Sequence, residues 1–172
     1  MSSSLPFLDI GCGAGEFLSF VHSKGLRAIG VDMNEEEVGR CIVKGLDVRC
    51  ADAVAFLDGY NGEFSGISLL QVIEHIPIDQ HIRLLSLAHQ KLSSGGVLIV
   101  ETINPSYPLS FDTFFTDPTH VRPIPSGYLA FLAQWYGFSA VDVLYLLPAP
   151  VFGNYMREAR LHYCNYAVIA QK

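Results

Sequence analysis

A chain of 172 residues, half of them hydrophobic, has the size of one domain and enough apolar material for a sizeable core. Its net charge of −6, with no Lys/Arg run, argues against an extended nucleic-acid surface that tracks phosphates. The apolar runs stop at strand length, so no membrane span is expected, and Met1-Ser2-Ser3-Ser4 lacks the charged and apolar regions of a secretory signal. Cys12, Cys41, Cys50 and Cys164 lie far apart without a C-x-x-C pair. Disulfides and zinc are therefore not expected, and a reducing, cytoplasmic compartment fits.

Leu5–Ile10 reads as a first strand, running into Gly11-Cys12-Gly13-Ala14-Gly15 and then a helical pattern over Ala14–Lys24. Phe17, Leu18 and Val21 share one face of that helix, and Gly25 stops it. Strand, glycine turn and helix start make a ligand loop. Glycine accepts φ > 0 and admits a ligand close to the main chain, and helix N-terminal amides favour a carboxylate or phosphate. Arg27–Asp32 is a second strand ending on an acid, placed where dinucleotide folds bind ribose hydroxyls. Asn34 caps a helix whose first turn carries Glu35, Glu36 and Glu37 and which stops near Gly45.

Asp47–Cys50 is a third strand, Asp52 opens a short helix through Leu57, and Phe64–Gln71 is a fourth strand. Asp79–Leu92 is a helix with Ile82, Leu85, Leu87 and Ala88 toward the core. After Ser93-Ser94-Gly95-Gly96 comes a fifth strand, Val97–Ile103, apolar enough for burial on both faces. This alternation argues an α/β fold, a parallel sheet with helices on both faces. Asn104–Pro125 holds five prolines and little periodicity, the mark of a functional loop or lid. Ser126–Tyr136 is a helix ended by Gly137, and Phe138–Leu147 is a strand. Pro148–Glu158 is an excursion and Leu161–Ala170 a last strand, so the closing strands suggest an antiparallel hairpin at the sheet edge.

In this order the chain resembles the class I S-adenosylmethionine-dependent methyltransferases. The resemblance rests on Leu8-Asp9-Ile10-Gly11-Cys12-Gly13-Ala14-Gly15, Val31-Asp32, Ala51-Asp52-Ala53, Gln71-Val72-Ile73-Glu74-His75-Ile76-Pro77 and Leu92-Ser93-Ser94-Gly95-Gly96-Val97-Leu98. It implies a single Rossmann-like domain over residues 1–172, with strand order 3-2-1-4-5-7-6 and strand 7 antiparallel. It also implies S-adenosylmethionine as donor and S-adenosylhomocysteine as product. The loop of Gly11, Cys12, Gly13 and Gly15 would take the donor's amino-acid end, with Asp9 ordering the turn and meeting the ammonium. Asp32 would take the ribose hydroxyls, and Asp52 and the Ala53 amide the adenine edge. Met33 and Phe56 would pack on the adenine ring, and Gln71 would lie beside the methionine portion. A nicotinamide cofactor fits less well, because Glu16 stands where G-x-G-x-x-G needs its third glycine. Family members carry helices before strand one that this chain lacks. Two readings stay open: a domain of a longer protein, or reliance on a partner in a complex.

Transfer from a sulfonium to an alcohol needs a base at hydrogen-bond distance or a metal that acidifies the hydroxyl. Glu74 and His75 follow strand four, and His120 sits in Phe115-Thr116-Asp117-Pro118-Thr119-His120-Val121-Arg122-Pro123. The expectation is O-methylation with His120 as general base, oriented by Asp117. Arg122 is a candidate for an acceptor carboxylate or phosphate, and Tyr107 and Trp135 are candidate pocket walls. Glu74, His75 and His120 are also similar to the metal site of small-RNA 2′-O-methyltransferases and ubiquinone-pathway O-methyltransferases. Those carry Glu-x-x-Glu-His, and Gln71 replaces the first Glu, so a divalent metal is the secondary expectation. The D-P-T-H-V-R-P run is similar to methyltransferases of polysaccharide biosynthesis, which implies a sugar hydroxyl or terminal phosphate. The acceptor expected is thus a small molecule or glycan. N- or C-methylation and a non-catalytic donor-binding module are the alternatives.

Overall fold

A computed structural model describes residues 5–148 and 162–172. The apolar runs between glycine turns become the strands β1 (Phe7–Ile10), β2 (Ala28–Asp32), β3 (Val48–Cys50), β4 (Phe64–Leu70), β5 (Leu92–Ile103), β6 (Ala140–Pro148) and β7 (Tyr163–Gln171). They form one seven-stranded sheet in the order β3-β2-β1-β4-β5-β7-β6. β1 is central and parallel to both neighbours, with Leu8 opposite Ile29 and Ile67. β7 runs antiparallel to β5 and β6. This is the expected order, with the closing hairpin at the edge.

The helices are α1 (Glu16–Ser23), α2 (Glu35–Val43), α3 (Ala53–Gly59), α4 (Ile78–Lys91), α5 (Ser110–Thr116) and α6 (Ser126–Trp135), with a 3-10 turn over Ile73–His75. The strand pleat sends alternate residues to opposite layers. Ile29 and Val31 join the large core with Leu57 of α3, Leu84 of α4 and Leu132 of α6. Between them, Gly30 faces Leu18 and Cys12 in a smaller core, where Leu18 of α1 and Cys41 of α2 also lie. A Cβ on Gly30 would stand 2.5 Å from Leu18 Cδ1, so the glycine sets how closely α1 packs on the sheet. The helix caps agree with the sequence: Asn34 Oδ1 accepts from Glu36 N, and Asp52 Oδ1 from Ala55 N.

Three details differ from expectation. Ile82 is exposed, and His81 and Leu84 take the core face of α4 instead. His81 is tolerated there because its Nε2 lies 3.1 Å from Ile73 O and 2.9 Å from Ile76 O, so a polar residue hid the true phase of the helix. β5 starts at Leu92 rather than Val97, with a register shift against Phe64 and Gly66 absorbing the glycines. The proline-rich stretch contains α5, where Phe111, Phe114 and Phe115 sit at helical spacing and Phe114 is buried. Most of the Pro148–Glu158 excursion, and Leu161, lie outside the described residues. Among the described residues, no helix is long and apolar enough to cross a membrane.

Candidate active site

Two cavities open at the carboxyl ends of the central strands, where α/β sheets bind ligands. The first, about 740 Å³, is lined by Gly11, Asp32, Met33, Asp52, Ala53 and Gln71 among others. The two loops carrying Asp32 and the glycine turn are tied together. Asp32 Oδ2 accepts from Gly13 N at 2.9 Å and Oδ1 from Asn34 N at 2.8 Å. Each oxygen keeps a lone pair for a further donor such as a hydroxyl. Gly11 holds φ +67°, and a Cβ there would lie 2.3 Å from Val72 Cγ2.

The remaining loop residues do not line this cavity. Asp9 is buried and receives the Ser68 hydroxyl at 2.6 Å. Burial, opposed by that bond and reinforced by Asp32, pushes its carboxyl up to about 6. Asp32, not Asp9, is therefore the acid bonded to the turn. Gly15 is required by packing, since a Cβ would lie 2.5 Å from Leu46 Cδ1. Cys12 is buried and its thiol is pushed up by burial. Phe56 packs on Tyr60 with ring centroids 5.5 Å apart and is also absent from the cavity wall. Cys41 Sγ donates to Gly13 O at 3.2 Å, a brace beneath the turn that no motif announced.

The second cavity, about 760 Å³, shares Gln71 with the first and is lined by Asp112, Asp117, His120 and Asn165. Gln71 holds φ +57°, rare for a residue other than glycine. Its side chain donates to Glu101 Oε1 at 3.4 Å, and Asn165 donates to the same oxygen at 3.0 Å. The loop after α5 is fastened to the turn after β4 by Val121 N donating to Glu74 O at 2.8 Å. This brings the rings of His75 and His120 to 4.6 Å.

His120 Nδ1 donates to Phe114 O at 2.6 Å, and its ring stacks on Phe114. A carbonyl can only accept, so the neutral ring keeps its lone pair on Nε2. Asp117 does not orient His120 by a hydrogen bond, because its Oδ2 stands 3.9 Å from His120 Nε2. Asp117 Oδ1 instead accepts from Thr119 N and Oγ1, and Thr119 Oγ1 lies 2.9 Å from His75 Nδ1. The Thr119 bonds hold the Asp117 carboxyl below the usual range. Glu74 is 1% exposed, and neither of its carboxylate oxygens has a hydrogen-bond partner. Burial raises its pKa, opposed by nearby Thr102 and by both imidazoles.

A family profile described as a methyltransferase domain matches residues 2–143. The chain belongs to this methyltransferase family. Its fold is that of the S-adenosylmethionine-dependent members. A S-adenosylmethionine-dependent methyltransferase from Archaeoglobus fulgidus superposes with a TM-score of 0.89 at 28% identity, over 98% of this chain and 86% of that one. One from Mesorhizobium loti gives 0.72 at 20% identity, covering 99% and 92%. A ubiquinone biosynthesis O-methyltransferase of Methylococcus capsulatus is 29% identical over 126 residues, 70% of this chain and 52% of that protein. The mitochondrial one of Candida albicans is 29% identical over 138 residues, 73% and 40%. The chain thus spans about half the length of the curated relatives it matches.

In this chain, one ligand atom from each of Glu74, His75 and His120 lies within 4.8 Å of the others. One carboxylate and two imidazoles suit Mn or Zn, and Mg with added waters. Two buried carboxylate oxygens without a partner fit a cation at that point. Gln71, where the metal-site resemblance expects a Glu, turns to Glu101 instead of joining the cluster. Arg122 lines neither cavity, and its charge acts on His81 and Tyr128. Tyr107 is buried, Trp135 is exposed beside Phe131, and neither lines these two cavities. Thr119, Glu101 and Asn165 were not singled out by sequence. Only Thr119 had a signal, its place inside the run that carries His120.

Proposed function

We propose that this methyltransferase moves the methyl group of S-adenosylmethionine to a hydroxyl of a small uncharged acceptor, with His120 as general base. The observation that carries the reading is the free Nε2 of His120, left by the Nδ1 bond to Phe114, on a cavity that meets the first at Gln71. The donor fills the first cavity. Asp32 accepts the ribose hydroxyls, Asp52 and Ala53 face the adenine, and the Gly11 backbone and Gln71 flank the methionine portion. Asp9, Cys12, Gly13 and Gly15 shape that loop from beneath, and Met33 covers the mouth.

The hydroxyl proton passes to His120 Nε2 as oxygen attacks the methyl carbon. The carbon–sulfur bond breaks with its pair on sulfur, leaving S-adenosylhomocysteine. Because the sulfonium loses its charge in the transition state, alignment across the two cavities does most of the work. The new imidazolium sits beside the carboxylates of Glu74 and Asp117. Among the described residues no Lys or Arg lines either cavity, which supports an uncharged acceptor over a terminal phosphate or other anion. The relatives named O-methyltransferases support oxygen as the target.

The partnerless oxygens of Glu74 favour a second reading, with a divalent cation held by Glu74, His75 and His120. Such a cation would acidify the acceptor hydroxyl and reduce the need for a base. The test is transfer of labelled methyl to a panel of phenols, sugar alcohols and amines, with and without chelator. Turnover of hydroxyl acceptors that survives chelator and falls in His120→Gln supports the base. Turnover lost with chelator supports the cation, and methylation of amines alone refutes O-methylation.

A further inference from the structure

We propose that Thr119 is a positioning residue that fixes the tautomer of His75, with Asp117 forcing the direction of the bond. Thr119 has one hydroxyl hydrogen, and Asp117 Oδ1 takes it at 2.6 Å. A carboxylate at neutral pH has no proton to return. The Thr119 oxygen can therefore only accept from His75, whose Nδ1 lies 2.9 Å away and must carry the ring hydrogen. His120 reaches the same state by another route, through the carbonyl of Phe114. With both Nδ1 atoms engaged, Nε2 is what each ring has left to offer. Beside them stands a carboxylate that no group of the described structure donates to. The two imidazoles thus keep their Nε2 lone pairs beside Glu74, prepared for a proton or a divalent cation.

The inference deepens the reading of this cluster as the acceptor-activating site and rests on it for its functional meaning. Its own content is a proton position, which is observable without any acceptor. Long-range proton–nitrogen correlation of the 15N-labelled full chain at pH 8 distinguishes the two neutral tautomers of each histidine. The expected result is Nδ1–H for both His75 and His120 in the wild type. Thr119→Val shifts His75 toward Nε2–H and leaves His120 unchanged, and Thr119→Ser restores the wild-type pattern. Asp117→Ala, which frees the Thr119 hydroxyl to donate to the ring, also shifts His75 toward Nε2–H. A wild-type His75 in the Nε2–H form overturns the proposal, as does a Thr119→Val chain that keeps Nδ1–H. If Thr119→Val does not fold, Asp117→Ala decides in the same way. A chain with the expected tautomers and no methyl transfer refutes the proposed function alone.

Discussion

Asp9→Asn isolates the cost of holding a carboxyl beneath the glycine turn. Asp9 is 3% exposed and its carboxyl is pushed from the ordinary 3.8 up to about 6. A gap of that size is worth roughly 3 kcal/mol, at about 1.4 kcal/mol per tenfold change in proton affinity. The folded state holds the proton more tightly than the unfolded chain. The favourable contribution is therefore complete below pH 3.8 and is lost as pH rises to about 6. Asparagine keeps an oxygen for the Ser68 hydroxyl but buries an amide without a known partner, a pH-independent cost of about 1–3 kcal/mol. Urea unfolding followed by circular dichroism from pH 4 to 7 should show wild type losing about 2 kcal/mol relative to Asp9→Asn, mostly between pH 4 and 6. A stability difference that stays flat over that range, or moves in favour of the wild type as pH rises, refutes the assignment.

Gly11→Ala combines left-handed strain of about 1–2 kcal/mol with overpacking against Val72 of about 1–3 kcal/mol. At roughly 2–4 °C per kcal/mol this predicts a Tm drop on the order of 10 °C by calorimetry. Gly13→Ala, whose Cβ would meet nothing within 4 Å, should lose only the strain part. Asp32→Asn gives up charge-assisted bonds worth about 1.5–3 kcal/mol and should weaken S-adenosylhomocysteine binding by about tenfold or more in titration calorimetry. His120→Gln should lower kcat about 10²–10⁴-fold with the S-adenosylhomocysteine Kd unchanged, and near wild-type turnover rules out the base. If Glu74, His75 and His120 hold a divalent cation, Mn²⁺ raises the wild-type Tm and leaves Glu74→Gln unmoved. An equal rise in both removes Glu74 from the site.

The sheet was legible in the sequence because most of its strands are short apolar runs set apart by glycine turns and helix caps, with β1 closed by Gly11 and β2 by Asp32, and those signals are local. The acids of the first cavity were legible for the same reason, since Asp32 and Asp52 end or begin elements that periodicity already marks. What stayed hidden depends on tertiary contact. Ile82 and His81 traded places because two carbonyls from the preceding turn face Nε2 of a core histidine. α5 was missed because a seven-residue helix between Pro108 and Pro118 has too few turns to show a period. The link from Asp117 to His75 crosses from one loop to another through Thr119, where sequence adjacency suggested His120.

Glu74 shows why the cluster it forms with His75 and His120 behaves as one object. A buried carboxylate without a partner costs several kcal/mol, and an aliphatic side chain would pack there without that cost. Its main chain has a separate task, which any residue at this position would keep. Glu74 O accepts from Val121 N, so the peptide that carries the carboxylate also fastens the His120 loop to the sheet. The next residue, His75, meets Thr119 of the same loop. One turn after β4 therefore supplies the carboxylate, one imidazole and both attachments of the segment bearing the other imidazole. Displacing the loop separates the ligand atoms and opens the boundary between the cavities at once. An aliphatic substitution at Glu74 therefore relieves the burial and keeps the loop attachment through Val121, while removing the carboxylate from the cluster with His75 and His120.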